Sequence, residues 1–303
     1  MLYFSLGEHI LKESKLAIWI VIPLIVIALS GCIEENHQIQ SNMIYVDNNG
    51  GADYTNIQDA INASPENYTI FVYSGTYYEN IVINKTINLT GEETGTTIID
   101  GEHIGDVIYI SEDGRANISG FTIKKSGNNS VGININSNNN TITGNNISNN
   151  NYGIYSTNSQ YNNFSQNIFL LNNEYGMYLY SGSNNNVIFD NVFSSNTCGL
   201  RIKGSKNNEV TSNSFTNNKQ GMYFCCGARD NIVFYNMFNN NSIWNGDDTV
   251  GSNNWDNESI GKGNYWDDYN GTDSDGDGIG DIPYYVSSKG QDNYPLMDKD
   301  DIN

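Results

Sequence analysis

Proline is scarce in this chain, with 4 in 303 residues, and only 16% of the residues are charged. Asn, Gly, Ser and Tyr are abundant instead. That disfavours a helical bundle, because Asn and Gly are poor in helix interiors and Tyr suits strands. Positive charge is short as well: 14 Lys and Arg stand against 34 Asp and Glu, a net charge of -20. This balance argues against nucleic acid as a partner and points to divalent cations and basic surfaces. Histidine occurs only at His9, His37 and His103, and no His or Cys spacing matches a metal site. The 38% hydrophobic content is still enough to bury a sizeable core.

A membrane-spanning run of about 20 apolar residues is missing too. The apolar run Leu16 to Leu29 is shorter, follows Lys12 and Lys15, and ends in Leu29-Ser30-Gly31-Cys32. Small residues before a Cys at the close of such a run resemble the lipobox of prokaryotic lipoproteins, and the resemblance implies a lipid on Cys32. The expected layout is a lipoprotein signal peptide at 1–32 and a linker at 33–42. It places the rest of the chain at the cell surface or in a periplasm-equivalent space, anchored to the outer face of the cytoplasmic membrane. Glu8 and Glu13 weaken the positive start, so a plain membrane anchor or another cleavage point stays open. The exported part keeps Cys198, Cys225 and Cys226, an odd number that leaves at least one thiol free and room for one bridge.

Internal repetition is what the chain does have. Ile142, Phe164, Ile188, Val210 and Val233 form one column at spacings of 22, 24, 22 and 23. Ile147, Phe169, Phe193, Phe215 and Phe238 form a second column five residues on. Asn140, Asn162, Asn186, Asn208 and Asn231 precede the first column by two residues, and Asn145, Asn167, Asn191, Asn213 and Asn236 follow it by three. Gly132, Gly153, Gly176, Gly199 and Gly221 each precede an apolar residue.

A repeat of about 22 residues made of short strands and Asn/Gly turns fits a parallel β-helix, each coil stacked on the last at ~4.8 Å. The apolar columns become a continuous core. The Asn columns become ladders, since an amide both donates and accepts. Asn is also expected to supply left-handed turns, and the Gly column positive φ. The β-helix is expected over residues 43–250, with room for roughly nine coils.

Open coils present unpaired strand edges, so both ends need covering. Near the start, "YTNIQDAINAS" carries a capping-box pattern, Thr55 with Gln58, and an apolar stripe of Ile57, Ala60 and Ile61 before Pro65. It predicts a short N-terminal capping helix over the first coil. Residues 251–303, with Trp255, Tyr265, Trp266 and Tyr269, lose the repeat and predict an aromatic C-terminal cap.

The stretches "IYVDNNGGADYTNIQDAINAS" and "IFVYSGTYYENIVINKTINLTG" are similar to the start of pectin-lyase-like right-handed β-helix proteins. The coils, together with "GNYWDDYNGTDSDGDGIGDIPYYV" and "DNYPLM", resemble the NosD-like branch over nearly all of residues 43–297. The resemblance implies an all-β, single-stranded right-handed parallel β-helix, export, and carbohydrate-binding or sugar-hydrolase-type repeats. That branch is named for a periplasmic accessory protein of copper-enzyme maturation. His9, His37 and His103 offer no ligand pair, so copper chemistry does not follow from the resemblance.

Two sets of residues carry candidate chemistry. Asp273, Asp275, Asp277 and Asp281 stand at positions 1, 3, 5 and 9 of a loop with Gly278 at 6 and the Ile279 carbonyl at 7, similar to the first part of an EF-hand-type calcium loop. Tyr284 replaces the Glu at position 12, which leaves Asp292 as a distant completing acid. A structural Ca2+ is expected at Asp273, Asp275, Asp277, Ile279 and Asp281, with no organic cofactor; a solvated acidic turn is the alternative.

The second set is a surface. Alternation in the strands after each Gly turns Tyr155, Tyr178, Arg201 and Tyr223 outward in one column, and Thr157, Tyr180, Lys203 and Cys225 in the next. Aromatic faces with Arg and Lys suit sugar stacking and charge-assisted bonds to an acidic group. Tyr155, Tyr178, Tyr180, Arg201, Lys203 and Tyr223 are therefore the candidate ligand-binding residues, against the alternative that Tyr merely suits strand surfaces. Arg201-Ile202-Lys203 also matches a short motif of polygalacturonase-type hydrolases. The paired acids of glycosidic hydrolysis are absent from the column, so no catalytic residue is assigned. The expectation is non-catalytic binding of a polysaccharide or cell-envelope glycan. A polysaccharide lyase or glycoside hydrolase, a NosD-like accessory protein, and a structural or adhesive rod are the alternatives.

Overall fold

A computed structural model of the chain describes residues 42–287 and 289–302. The expected signal peptide, Cys32 and the linker up to residue 41 lie outside the described residues. Of the two compact units, 1–40 and 41–303, the second carries every described element.

Each coil gives one strand to each of three parallel sheets, which hold nine, eight and nine strands among the described residues. The chain is thus a right-handed parallel β-helix of about nine coils, the hand that parallel crossovers almost always take. Both apolar columns fall in register: Ile142 pairs Phe164 and Phe164 pairs Ile188, while Ile147 pairs Phe169 and Phe169 pairs Phe193. All are fully buried. Phe169, Phe193, Phe215, Phe238 and Trp266 stack nearly parallel with centroids 4.6, 4.8, 4.8 and 4.3 Å apart. That is the spacing of neighbouring strands, so backbone pairing sets the ring stack.

The Gly column works differently from the expectation. Gly153, Gly176 and Gly199 do not have positive φ; they are glycine because the next coil comes too close for a side chain. A Cβ on Gly176 would lie 2.6 Å from the Gly199 carbonyl oxygen and 2.9 Å from Phe193. Positive φ sits instead on the residue before each ladder asparagine from Asn140 to Asn241. Tyr161, Gln166 and Leu171, at 58°, 56° and 56°, precede Asn162, Asn167 and Asn172. The strained residue turns the chain so that the following amide points inward, and its own type is almost free.

There are three ladders rather than two. Asn150, Asn172, Asn196, Asn218 and Asn241 make the third. In every step the backbone N–H and Nδ2 of one Asn donate to Oδ1 of the Asn one coil on; for Asn191 to Asn213 both distances are 2.9 Å. The ladders therefore have a direction. Their first oxygens, on Asn140, Asn145 and Asn150, accept from Ala116, Phe121 and Ser126 N–H. Their last donors end on the carboxyl oxygens of aspartic acids, which accept. Asn253 donates to Asp248, Asn264 to Asp292, and the third ladder passes through Asn245 to Asp267 and Asp268.

The helix Ile57–Ala63 buries Ile57, Ala60 and Ile61 against the first strands. Its start is not the expected capping box. Asn56 is the N-cap and makes no side-chain cap bond, whereas the Glu79 carboxylate accepts from Ile57 N–H at 2.8 Å and Gln58 N–H at 2.9 Å. An anion from the next coil thus satisfies the helix N-terminus. The Gln58 side chain is used on Asn62 and on the Val82 backbone.

Two outcomes follow. Asn191→Ala removes the acceptor of Asn167 and strands buried groups at about 1–3 kcal/mol each, so urea unfolding should show a loss of several kcal/mol. Asp292 is fully buried, and burial pushes its carboxyl up from 3.8 to about 7, against the bonds from Asn264, Trp266 and Tyr294. The folded chain thus holds a proton that the unfolded chain releases near 3.8. The stability this confers is complete below 3.8 and is lost as pH rises to about 7, with a slope of at most ~1.4 kcal/mol per pH unit. Asp292→Asn keeps an acceptor for Asn264 without titrating, and should flatten the stability profile across that window.

Candidate functional site

The eight-stranded sheet displays the candidate face. Strand pairing aligns Tyr109, Asn134, Tyr155, Tyr178, Arg201, Tyr223 and Asp247 in one outward column. Thr157, Tyr180, Lys203 and Cys225 align beside it. Every candidate binding residue therefore lies on one surface. Two tyrosines join them that alternation had not selected. Tyr152 and Tyr175 stand just before the close-approach glycines, yet the Tyr175 ring is 5.0 Å from Tyr178 and 5.4 Å from Tyr152.

Arg201 is the centre of this surface. Its guanidinium lies over Tyr175, Tyr178 and Tyr223 at 5.5, 5.2 and 5.3 Å from the ring centroids, within cation–π range. Nη1 donates to Tyr175 Oη at 2.6 Å and Nη2 to Cys225 Sγ at 3.3 Å. Ion pairs among the described residues link Lys124, Lys125 and Asp100, and Arg229 with Asp230, so Arg201 has no carboxylate partner there. Lys203 Nζ sits 5.3 Å from the Tyr180 centroid. Burial raises the Tyr155 and Tyr178 hydroxyls above 10.0, so both stay protonated at neutral pH.

Cys225 points outward as expected but is buried, with its sulfur held by Arg201. The room for a disulfide is not used: Cys198, Cys225 and Cys226 are all free, and only Cys226 is exposed. Cys226 has φ 55°, and the chain turns away there. Burial pushes the Cys198 thiol up to about 12.

Buried polar atoms seldom lack partners, yet several on this face do: Asn134 Oδ1, Asn136 Oδ1, Arg201 Nε and Trp244 Nε1. At the N-terminal end of the column lies a hollow of about 400 Å³ lined by Asp106, Asn129, Val131, Asn134, Tyr152, Tyr155 and Tyr178.

In the acidic loop, carboxylate oxygens of Asp273, Asp275 and Asp277 lie within 4.8 Å of one another. Asp273 is oriented by the N–H groups of Gly276, Asp277 and Gly278. Asp281 does not join the cluster; it accepts from Thr272 and Ser274, and these bonds hold its carboxyl below 3.8. Ile279 donates its N–H to Asp277. Asp292 is no completing acid either, because it ends an asparagine ladder.

The family model described as "Periplasmic copper-binding protein (NosD)" matches residues 26–271. The chain belongs to the NosD family. Its described residues do not fit a copper centre. His103 is an exposed turn residue, and the one convergent group of three metal-ligating side chains is the all-carboxylate Asp273, Asp275 and Asp277. Such hard oxygen donors suit calcium rather than copper.

No curated protein sequence matches this NosD-family chain. Three solved structures show the level of likeness. A Geobacillus virus E2 protein, ORF18, has 16% identity and a TM-score of 0.44, with 60% of this chain and 52% of that one covered. Pectin methylesterase from carrot has 14% and 0.37, with 65% and 82% covered. The A-module of Azotobacter vinelandii mannuronan C-5 epimerase AlgE6 has 15% and 0.39, with 62% and 71% covered. This chain spans about half of the viral protein, and none of the three passes an activity to it.

Proposed function

We propose that this NosD-family β-helix is an exported, non-catalytic binding protein that holds a glycan or envelope polymer along Tyr155, Tyr178, Tyr180, Arg201, Lys203 and Tyr223. The lipid expected at Cys32 ties it to the outer face of the membrane. The observation that carries the reading is Arg201. It is a guanidinium set among three tyrosine rings without a carboxylate partner among the described residues, on a protein of net charge -20. Rings give stacking surfaces for sugars, and the unpaired cation gives a charge-assisted bond to an acidic group.

Catalysis is a weaker reading on this geometry. Glycosidic hydrolysis needs two carboxyl groups about 5–9.5 Å apart, and the residues in register with Arg201 are Tyr178 and Tyr223. Asp247 is the column's lone acid, its carboxyl raised by burial and by the Asp248 charge.

Affinity electrophoresis of the purified chain through neutral and acidic polysaccharides tests the proposal. One polymer should retard the protein without being shortened, and Arg201→Ala should cut the retardation severalfold. Retardation by none of them defeats it.

The acidic loop is proposed as a structural calcium site of Asp273, Asp275 and Asp277, with Ile279 offering its carbonyl. Affinities of extracellular calcium modules run at about 10⁻⁴–10⁻³ M. Millimolar calcium should therefore raise the melting temperature by a few degrees, chelator should reverse the rise, and Asp275→Asn should abolish it. A melting curve indifferent to calcium rejects the site.

A further inference from the structure

We infer that the hollow framed by Asp106, Asn134, Tyr152, Tyr155 and Tyr178 is a separate subsite for one neutral, hydroxyl-rich sugar ring. It lies at the N-terminal end of the face, and the inference rests on the glycan-binding reading.

The charged group at this end is an acceptor. Asp106 Oδ1 accepts from Val131 N–H at 2.8 Å and Oδ2 from Asn134 Nδ2 at 2.7 Å. Each carboxylate oxygen keeps a lone pair for a further donor. The bond to Asp106 also settles which way the Asn134 amide faces, since its nitrogen must meet the carboxylate. Its oxygen is left buried and unpartnered. Asn136 repeats the arrangement: Nδ2 donates to Tyr109 Oη at 3.1 Å, and Oδ1 has no partner. Sugar hydroxyls are the donors that the remaining lone pairs of Asp106, which lines the hollow, would accept.

The unpaired atoms at the other end have the opposite sense. Arg201 Nε and Trp244 Nε1 are donors. Arg201 stands three coils beyond Asn134 in the column, or ~14 Å at the spacing of stacked strands. A carboxylate-bearing ring in the hollow would face Asp106, whereas the Arg201 guanidinium stands one coil beyond Tyr178, over the Tyr178 ring at 5.2 Å, so the sugar ring in the hollow is uncharged and any acidic unit belongs near Arg201.

The apolar part of the wall suits a pyranose. Tyr152 and Tyr155 meet edge to face at 6.3 Å, and Tyr155 and Tyr178 at 5.4 Å. A volume of about 400 Å³ is at the lower end of small-molecule sites. A hollow of similar size lined by Leu171, Asn173, Thr197 and Lys219 has no aromatic wall.

Saturation-transfer NMR on the full chain tests this, with cellotetraose, mannotetraose and galactotetraose as neutral probes and tetragalacturonate as the acidic one. At least one neutral probe should bind, weaken about tenfold in Asp106→Ala, and hold its affinity in Lys219→Gln, a change in the hollow without an aromatic wall. Tyr155→Ser, which removes no backbone hydrogen bond, repeats the test should Asp106→Ala melt early. If neutral probes bind but ignore both hollow variants, or if tetragalacturonate alone binds, the subsite is wrong while the glycan reading stands. If no probe binds, both fall.

Discussion

The hydrogen bond from one ladder asparagine to Oδ1 of the next sets the terms for the rest of this molecule. The turn of each coil brings backbone and side-chain amides into the interior, where an unmet donor or acceptor is costly. The ladder meets them with neutral groups and no buried charge along its length. Because each bond spans one coil height, it holds neighbouring coils in register. The stack of Phe169, Phe193, Phe215 and Phe238 inside and the tyrosine columns outside are consequences of that register.

How far the sequence could be read depends on which physical property each residue expresses. Side-chain type at a fixed spacing was enough for the two apolar columns, two of the ladders and the outward column through Tyr178 and Arg201. The third ladder, through Asn172 and Asn196, has the same spacing and was open to the same reading. The Gly column was visible, but its reason was not: close approach of the next coil's carbonyl depends on three-dimensional stacking rather than on a residue's own torsions. Likewise Tyr161 and Leu171 give no sign of their left-handed backbone, since geometry imposed by the coil overrides their preference.

The candidate site was legible only where strand alternation holds. Alternation fails at the glycines, which is why Tyr175 and Tyr178, three residues apart, have adjoining rings. Asp106 comes from a loop with no repeat pattern and meets Asn134 only through stacking. The helix start shows the same limit. A local Thr55 and Gln58 pattern was overruled by Glu79, a carboxylate 22 residues away from Ile57 in sequence and adjacent in space. Local motifs lose to a neighbouring coil whenever that coil supplies a stronger acceptor.

Each ladder begins on a backbone amide and ends on an acid, and every interior step is chemically alike. Growth by internal duplication is therefore simple: one coil copied into the middle meets the same donor below and the same acceptor above. Loss or gain at the C-terminal edge is not equivalent, because Asp248, Asp292 and the Asp267–Asp268 pair act as terminators matched to the last rung. The length of the tyrosine face is thus an evolvable quantity, whereas its two ends are not interchangeable.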